Sequence, residues 1–326
     1  MPQPTFLMIG AAKTATTSLY QYLKQHPQIF LPSEKEPRFF LLEGANPKDY
    51  TGPGDPIWVG HAIRTWEGYL QLFEGATDQH RAIGEGTTLY LPSPEAAARI
   101  HHYLPEVKLI AVLRNPADRA FSHFVQHLRG GHGLETVAQG NEAVMAAFCE
   151  VLDREEERRK AGWSMSWQYQ RQGFYYQHLM AYAEYFPRDR FQIFLFEEVL
   201  KNLSGTLMAI QEFIGVDPLP LDTRKQHNLS VITKVPKNER LHRFLIQDNP
   251  LKSVLKPLLP ARLRQRLNWK LRQQNMRPID QPVKLTLTPE VRQRLINVYR
   301  DDILKLQDWL DQDLSSWLTN GPSGVP

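Results

Sequence analysis

The chain has a single cysteine in 326 residues, Cys149. One thiol forms no intramolecular disulfide and supports neither a zinc cluster nor a secreted disulfide scaffold, so a buried thiol is the simple reading. No run approaches the ~20 apolar residues that a membrane-spanning helix requires. About five residues separate Met1 from the first apolar run. That leaves no room for a secretion signal, and a cytoplasmic address is expected. Charge of either sign is not in large excess. A net charge of +4 suits an anionic ligand but is too small to argue for a nucleic-acid partner. No internal repeat is present, and no heptad seam marks an oligomerisation face. What is present is 42% hydrophobic content, ample for one large α/β domain or for a domain with an added lobe.

The chain is organised around Thr5 to Leu23, TFLMIGAAKTATTSLYQYL. Phe6 to Ile9 has the length and character of a short buried strand, and Gly10 breaks it into small residues around Lys13. A helix follows, with Thr16, Thr17 and Ser18 able to cap its start and Leu19 and Leu23 on one face. A strand, tight loop and helix in that order aim backbone N–H groups and the positive end of the helix dipole at one point, where a phosphate fits. The G-x-x-x-x-G-K-S/T pattern of nucleoside triphosphatases fits poorly, because the lysine comes three residues after Gly10. A purely structural strand-turn-helix is the alternative.

Two further stretches carry chemistry. Lys108 to Leu113, KLIAVL, reads as a central parallel strand covered on both faces. Arg114-Asn115-Pro116 ends it, and Ala117 to Leu128 reads as a helix with Arg119 and Ser122 on one turn. An arginine at the strand end and a serine one turn into the helix can hold a phosphate together. Ser33 to Phe40, SEKEPRFF, sets carboxylates among Lys35, Arg38 and two phenylalanines. Nearby cations keep such a carboxylate ionised and an aromatic wall limits water, as a general base needs; an exposed loop is the bland reading.

Taken together, these stretches resemble the sulfotransferases that use 3′-phosphoadenosine 5′-phosphosulfate, in the branch of the heparan sulfate sulfotransferases and their bacterial relatives. The loop K-x-G-T-T of that family is similar to Lys13-Thr14-Ala15-Thr16-Thr17-Ser18, with Ala15 in place of glycine. If a positive φ is needed there, alanine is strained. The family's K-E-x-H-F-F places its catalytic glutamate on Glu36, with Arg38 where histidine is usual and Glu34 as the lesser candidate. L-R-N/D-P-x-x-R-x-x-S, the 3′-phosphate site, matches LRNPADRAFS and assigns Arg114 and Ser122 to the cofactor, with Arg119 structural. Arg81 to Leu91 resembles E-K-S/T-P-x-Y through Glu85, Thr87 and Tyr90, but Gly86 replaces the lysine. Lys237 lies where a basic loop closes on the cofactor in relatives.

The resemblance covers roughly residues 4 to 220 and implies transfer from that phosphosulfate, with 3′-phosphoadenosine 5′-phosphate as product and no metal. Lys13 and Glu36 would be the catalytic residues. The acceptor would be a small molecule or a glycan: a carbohydrate or glycolipid hydroxyl, another alcohol, or an amine. A P-loop-type kinase and a noncatalytic nucleotide-binding module are the alternatives. The animal relatives are anchored in the Golgi membrane, so a cytoplasmic chain reads as bacterial.

The expected fold is α/β, a P-loop-like parallel sheet flanked by helices, with a core over 1–233 and a helical C-terminal extension over 234–326 packed on it. Leu41 to Gly60 reads as a long loop with Trp58 as its stacking candidate. Trp66, Tyr69, Leu70 and Phe73 read as a core stripe. Asp153 to Lys160 reads as a solvated charged helix. Trp163, Trp167 and Tyr169 either stack on a ligand or pack under the loop. Residues 251–277 hold basic but no acidic residues. They suit an arm on the core, an acidic acceptor, or peripheral contact with an anionic membrane. Thr288-Pro289-Glu290 opens a last helix burying Val291, Leu295, Val298 and Leu306.

Overall fold

Alternation along two strands decides the architecture. In β1 (Phe6–Gly10), Leu7 and Ile9 enter one core cluster while Phe6 and Met8 enter another. The same division appears in the strand Lys108–Leu113, where Leu109, Ala111 and Leu113 face the first cluster and Ile110 and Val112 the second. Successive side chains point to opposite faces, so a strand buried on both must lie inside a sheet covered on both sides.

The computed structural model describes residues 1–130, 134–137, 139–224, 232–246, 270–271, 274–283 and 285–321. It contains a five-stranded sheet of β1, β2 (Ile29–Phe30), β3 (Ala82–Gly86), β4 (Lys108–Leu113) and β5 (Phe191–Leu195). The order is β2-β3-β1-β4-β5 and every pairing is parallel. Phe6 stands opposite both Gly84 and Lys108. Gly84 is dictated by packing, because a Cβ there would fall 2.4 Å from the Phe6 ring.

One face carries α1 (Thr16–Leu23) and, further along, the helix Leu203–Ile214. The other carries α2 (Pro94–Tyr103), α3 (Pro116–Arg129), α4 (Tyr175–Ala183) and α5 (Pro289–Leu310). Of the stripe Trp66, Tyr69, Leu70 and Phe73, the last three are buried as expected from their spacing, and Trp66 packs half-buried against the core.

Several local expectations change. The Leu41 to Gly60 segment contains helical turns, Pro47–Asp49 and Asp55–Gly60. It is held by buried Asp55, which accepts bonds from Ser164 N (2.7 Å), Ser164 Oγ (2.6 Å) and Trp167 Nε1 (3.1 Å). Trp167 and Tyr169 are buried, which is packing rather than a stacking platform. Glu155, in the charged segment, is buried and accepts from the amides of Gln170 (2.7 Å) and Arg171 (2.8 Å). Cys149 is half-buried. In α5, Val298 is exposed, and Tyr299 and Ile303 take the core positions beside Leu295 and Leu306.

The C-terminal segment is not wholly helical, because Ile232–Pro236 (β6) pairs antiparallel with Met276–Val283 (β7). Residues 251–269, 272 and 273, which hold most of the basic stretch, lie outside the described residues. Among the described residues no helix is long and apolar enough to cross a membrane.

Candidate active site

Five parallel strands end at one edge, and the chain leaves β1 toward one side of the sheet and β4 toward the other. Such a divergence opens a crevice beyond the strand ends, where ligands of open α/β sheets bind. The loops leaving β1, β2 and β4 carry Lys13, Glu36 and Arg114, and the end of β3 carries Glu85.

The loop after β1 is tight. Lys13 and Ala15 both have positive φ, 74° and 59°. An L side chain in this region costs roughly 1–2 kcal/mol, so alanine bears the strain that the sequence pattern raised. The Thr14 hydroxyl is buried and donates to Ala11 O (2.8 Å), which braces the loop. Ala15, rather than a hydroxyl side chain, caps α1: its carbonyl accepts from Ser18 N (2.9 Å) and Leu19 N (3.1 Å). The amides of Thr16 and Thr17 precede these bonds and point with the dipole out of the helix start.

Lys13 is half-buried in this loop, and its pKa falls to about 8. Loss of solvation is the main cause, followed by the charges of Arg129 and Arg114, with Glu36 alone acting in the opposite direction. The site is therefore short of negative charge.

Arg114 lies across the loop, donating from Nη1 to Lys13 O (3.3 Å), with its guanidinium 4.8 Å from the Phe196 ring centroid. Its Nε is buried without a partner among the described residues. Burial lowers its pKa, opposed by the charges of Asp118 and Glu197. Asn115 caps α3, accepting from Ala117 N (3.0 Å) and Asp118 N (3.3 Å). Ser122 is half-buried on that helix. Arg119 is fully buried and donates to Gln172 Oε1 (3.2 Å) and to the Tyr169 carbonyl, a structural post.

The loop bearing Glu36 is strained too. Glu36 and Arg38 have φ of 60° and 61°. Glu36 N donates to Gly86 O (3.2 Å) and Arg38 N to Thr87 Oγ1 (3.4 Å), so the end of β3 moulds the loop. The Glu36 carboxylate accepts from Thr88 Oγ1 (3.1 Å) and lies 3.6 Å from Lys35 Nζ. Glu34 is exposed. Phe39 and Phe40 are fully buried, so they anchor the loop from below rather than walling the cleft. Arg38 stacks on Trp58 at 4.7 Å from the ring centroid, and that ring is half-buried.

Beneath both loops sits Glu85, fully buried and accepting from Thr87 Oγ1 (2.9 Å) and Tyr69 OH (3.3 Å). Burial raises its pKa to about 7 against these hydrogen bonds.

The structure thus brings Lys13, Thr14, Ala15, Thr16, Thr17, Ser18, Glu36 and Arg114 to one edge. Lys237 is exposed at the end of β6, where its amide donates to Asn275 O (2.6 Å), rather than being tied to Lys13 or Arg114. Arg129 escaped the sequence reading because it ends a helix whose direction only the fold reveals. Lys35 stood beside the expected base and was read there as a neighbouring cation alone. Arg292 also escaped: from α5 it pairs with Asp118 on α3 across 174 residues.

The chain is 28% identical over 225 residues to the bifunctional heparan sulfate N-deacetylase/N-sulfotransferase 2 of Homo sapiens, covering 68% of this chain and 23% of that protein. It is 28% identical over 220 residues to the heparan sulfate glucosamine 3-O-sulfotransferase 6 of Mus musculus, covering 67% and 54% respectively. The chain thus spans about half or less of these relatives' own length. Its fold matches the crystal structure of a sulfotransferase from Alicyclobacillus acidocaldarius with a TM-score of 0.68 and 27% identity, over 98% of this chain and 100% of that one. The sequence model described as Sulfotransferase family matches residues 4–220, which include every strand of the five-stranded sheet and both strained loops, and on that match the chain belongs to the Sulfotransferase family.

Proposed function

We propose that the protein transfers a sulfuryl group from 3′-phosphoadenosine 5′-phosphosulfate to an acceptor hydroxyl, with Glu36 as base. The observation that carries this is the convergence of cations at the strand ends: Arg114 Nη1 donates to Lys13 O (3.3 Å), and the charges of Arg129 and Arg114 both depress the Lys13 pKa, with Glu36 opposing them. Gathering like charges is unfavourable unless an anion completes the set, and an anion with phosphate groups at both ends fits the two motifs. The bound nucleotide supplies an activated sulfuryl group and a stable leaving phosphate.

The roles follow from position. Lys13 and the amides of Thr16 and Thr17 stabilise charge growing at the 5′ end, while Thr14, Ala15 and Ser18 shape the loop around it. Arg114 and Ser122 hold the 3′-phosphate. Glu36, aligned by Thr88, removes the acceptor proton as attack begins, a role worth roughly 10²–10⁴-fold in rate. Lys237 belongs to the closing side of the nucleotide site. No residue is assigned to a metal. The Trp58 and Arg38 pair beside Glu36 suits a carbohydrate or glycolipid acceptor, with other alcohols and amines as the wider class. A cytoplasmic address is part of the same proposal, and fractionation of the source cells checks it.

Glu36→Gln tests the core of the reading. Turnover of the phosphosulfate with a mixture of glycan and alcohol acceptors should fall by roughly 10²–10⁴-fold while nucleotide affinity holds. Wild-type turnover equal to that of the variant removes Glu36 as base. Tight nucleotide binding with no turnover of any acceptor favours a noncatalytic module.

A further inference from the structure

Lys35 connects the two loops in a way that the roles above leave unused. Its Nζ donates to Thr17 Oγ1 (3.2 Å), at the start of α1, and lies 3.6 Å from Glu36 Oε1. The ammonium therefore stands between the end of the site that holds the leaving phosphate and the end that holds the base. Its side chain is only 16% exposed. An ammonium has three donors, and these two partners engage at most two of them.

The space that Lys35 occupies is conditional. A Cβ on Gly86 would stand 3.7 Å from Lys35 Cε, 3.3 Å from Tyr20 Cδ2 and 3.5 Å from Met8 Cβ. A single carbon fits only tightly, and a longer side chain growing from position 86 would enter the path of the lysine stem. Gly86 is also where the resembling E-K-S/T-P-x-Y segment carries its lysine. With glycine at position 86, Lys35 on the neighbouring loop is the cation beside that strand end.

Resting on the proposed sulfuryl transfer, we infer that Lys35 is a second catalytic cation, contacting the transferring sulfuryl group from the base-bearing loop in the space left open by Gly86. In the transfer, an acceptor oxygen forms a bond to sulfur as the bond from sulfur to the 5′-phosphate oxygen breaks. The electron pair of that bond stays on the phosphate oxygen, and the acceptor proton passes to Glu36. Lys13 faces the oxygen that gains charge. Lys35 faces the sulfuryl oxygens midway between donor and acceptor, where charge persists throughout, and it keeps its own protons.

The test compares affinities for 3′-phosphoadenosine 5′-phosphosulfate and 3′-phosphoadenosine 5′-phosphate, which differ by the sulfuryl group alone. Calorimetric titration is applied to the wild type, to Lys35→Met, which keeps the stem and removes the charge, and to Lys35→Ala combined with Gly86→Lys, which clears the stem from the path of the new side chain. Lys35→Met should lower the affinity ratio of phosphosulfate to bisphosphate at least fivefold, with the bisphosphate affinity within twofold of wild type. The double variant should recover most of the ratio, which bracing of Thr17 by Lys35 would not explain. An unchanged ratio in Lys35→Met overturns the assignment, as does equal weakening of both nucleotides. A wild type that binds neither nucleotide fails the donor reading itself and takes this inference with it, whereas intact wild-type binding with an unchanged ratio removes Lys35 alone.

Discussion

The two loops proposed to hold phosphate are built in opposite ways. The Lys13 loop holds its shape by local means: positive φ at Lys13 and Ala15, and a hydroxyl bond from Thr14 to Ala11. The Arg114 turn is relaxed, capped by Asn115, and supported from far along the chain. Asn115 Nδ2 donates to Trp317 O (3.3 Å), Tyr175 OH donates to Arg114 O (3.0 Å), and Arg292 on α5 pairs with Asp118. Strain can hold a loop only a few residues long, whereas a side chain that must meet one phosphate benefits from a rigid helix placed by the core.

If that contrast is right, Arg292→Ala should be the most damaging change outside the cleft. It removes the guanidinium paired with Asp118, 11% exposed, and removing one partner of a buried pair costs about 3 kcal/mol or more. Urea unfolding should show the loss, and Arg292→Ala that retains stability and 3′-phosphate selectivity would dissolve the distinction between the two motifs.

Arg114→Ala should next reduce affinity for 3′-phosphoadenosine 5′-phosphate at least tenfold, about 1.4 kcal/mol, and remove most of the preference over AMP. The melting temperature should move little. An undiminished preference would place the 3′-phosphate elsewhere.

The Lys13 loop should instead be sensitive to pH. With its pKa at about 8 in the folded protein and 10.5 as the reference, Lys13 releases its proton in the native state first. Between these values the unfolded chain holds the extra proton, so the Lys13 contribution to stability rises with pH. Nucleotide binding, which uses the charged form, should weaken as pH rises through about 8. Titrations from pH 6.5 to 9.5 should show that fall in wild type and in Arg114→Ala, and a flat profile in Lys13→Ala. A wild-type affinity independent of pH would remove Lys13 from the ligand.

Ala15→Gly is the smallest change. Relief of a left-handed alanine, roughly 1–2 kcal/mol, is offset by the extra freedom of glycine in the unfolded chain, so stability should rise by about 0.5–1 kcal/mol. Urea midpoints read it directly. A loss on this substitution would mean that Ala15 contributes packing that outweighs its backbone strain.

Legibility in the sequence followed the range of the interaction. KLIAVL announced a doubly covered strand because six residues carry the pattern by themselves, and the motif loops were visible because their residue types sit together. β2 was hidden: two residues between His26-Pro27 and Leu31-Pro32 become a strand only by pairing with Ala82 and Ile83. Val298 and Tyr299 exchanged places because a 22-residue helix drifts in phase against any simple spacing, and the groove that receives Tyr299 lies at Gly173. Glu155 looked solvated among DREEERRK, since nothing local says that two amides of a later turn point at it.

The Asp55 carboxylate, which binds Ser164 and Trp167 from the segment bearing Trp58, also sets the unit of exchange for redesign. Grafting residues 46–60 from another enzyme would import one half of a socket and strand its plug. A chimera that carries 160–168 along with it keeps both halves, so the loop bearing Trp58 moves between scaffolds only as a pair of segments about a hundred residues apart.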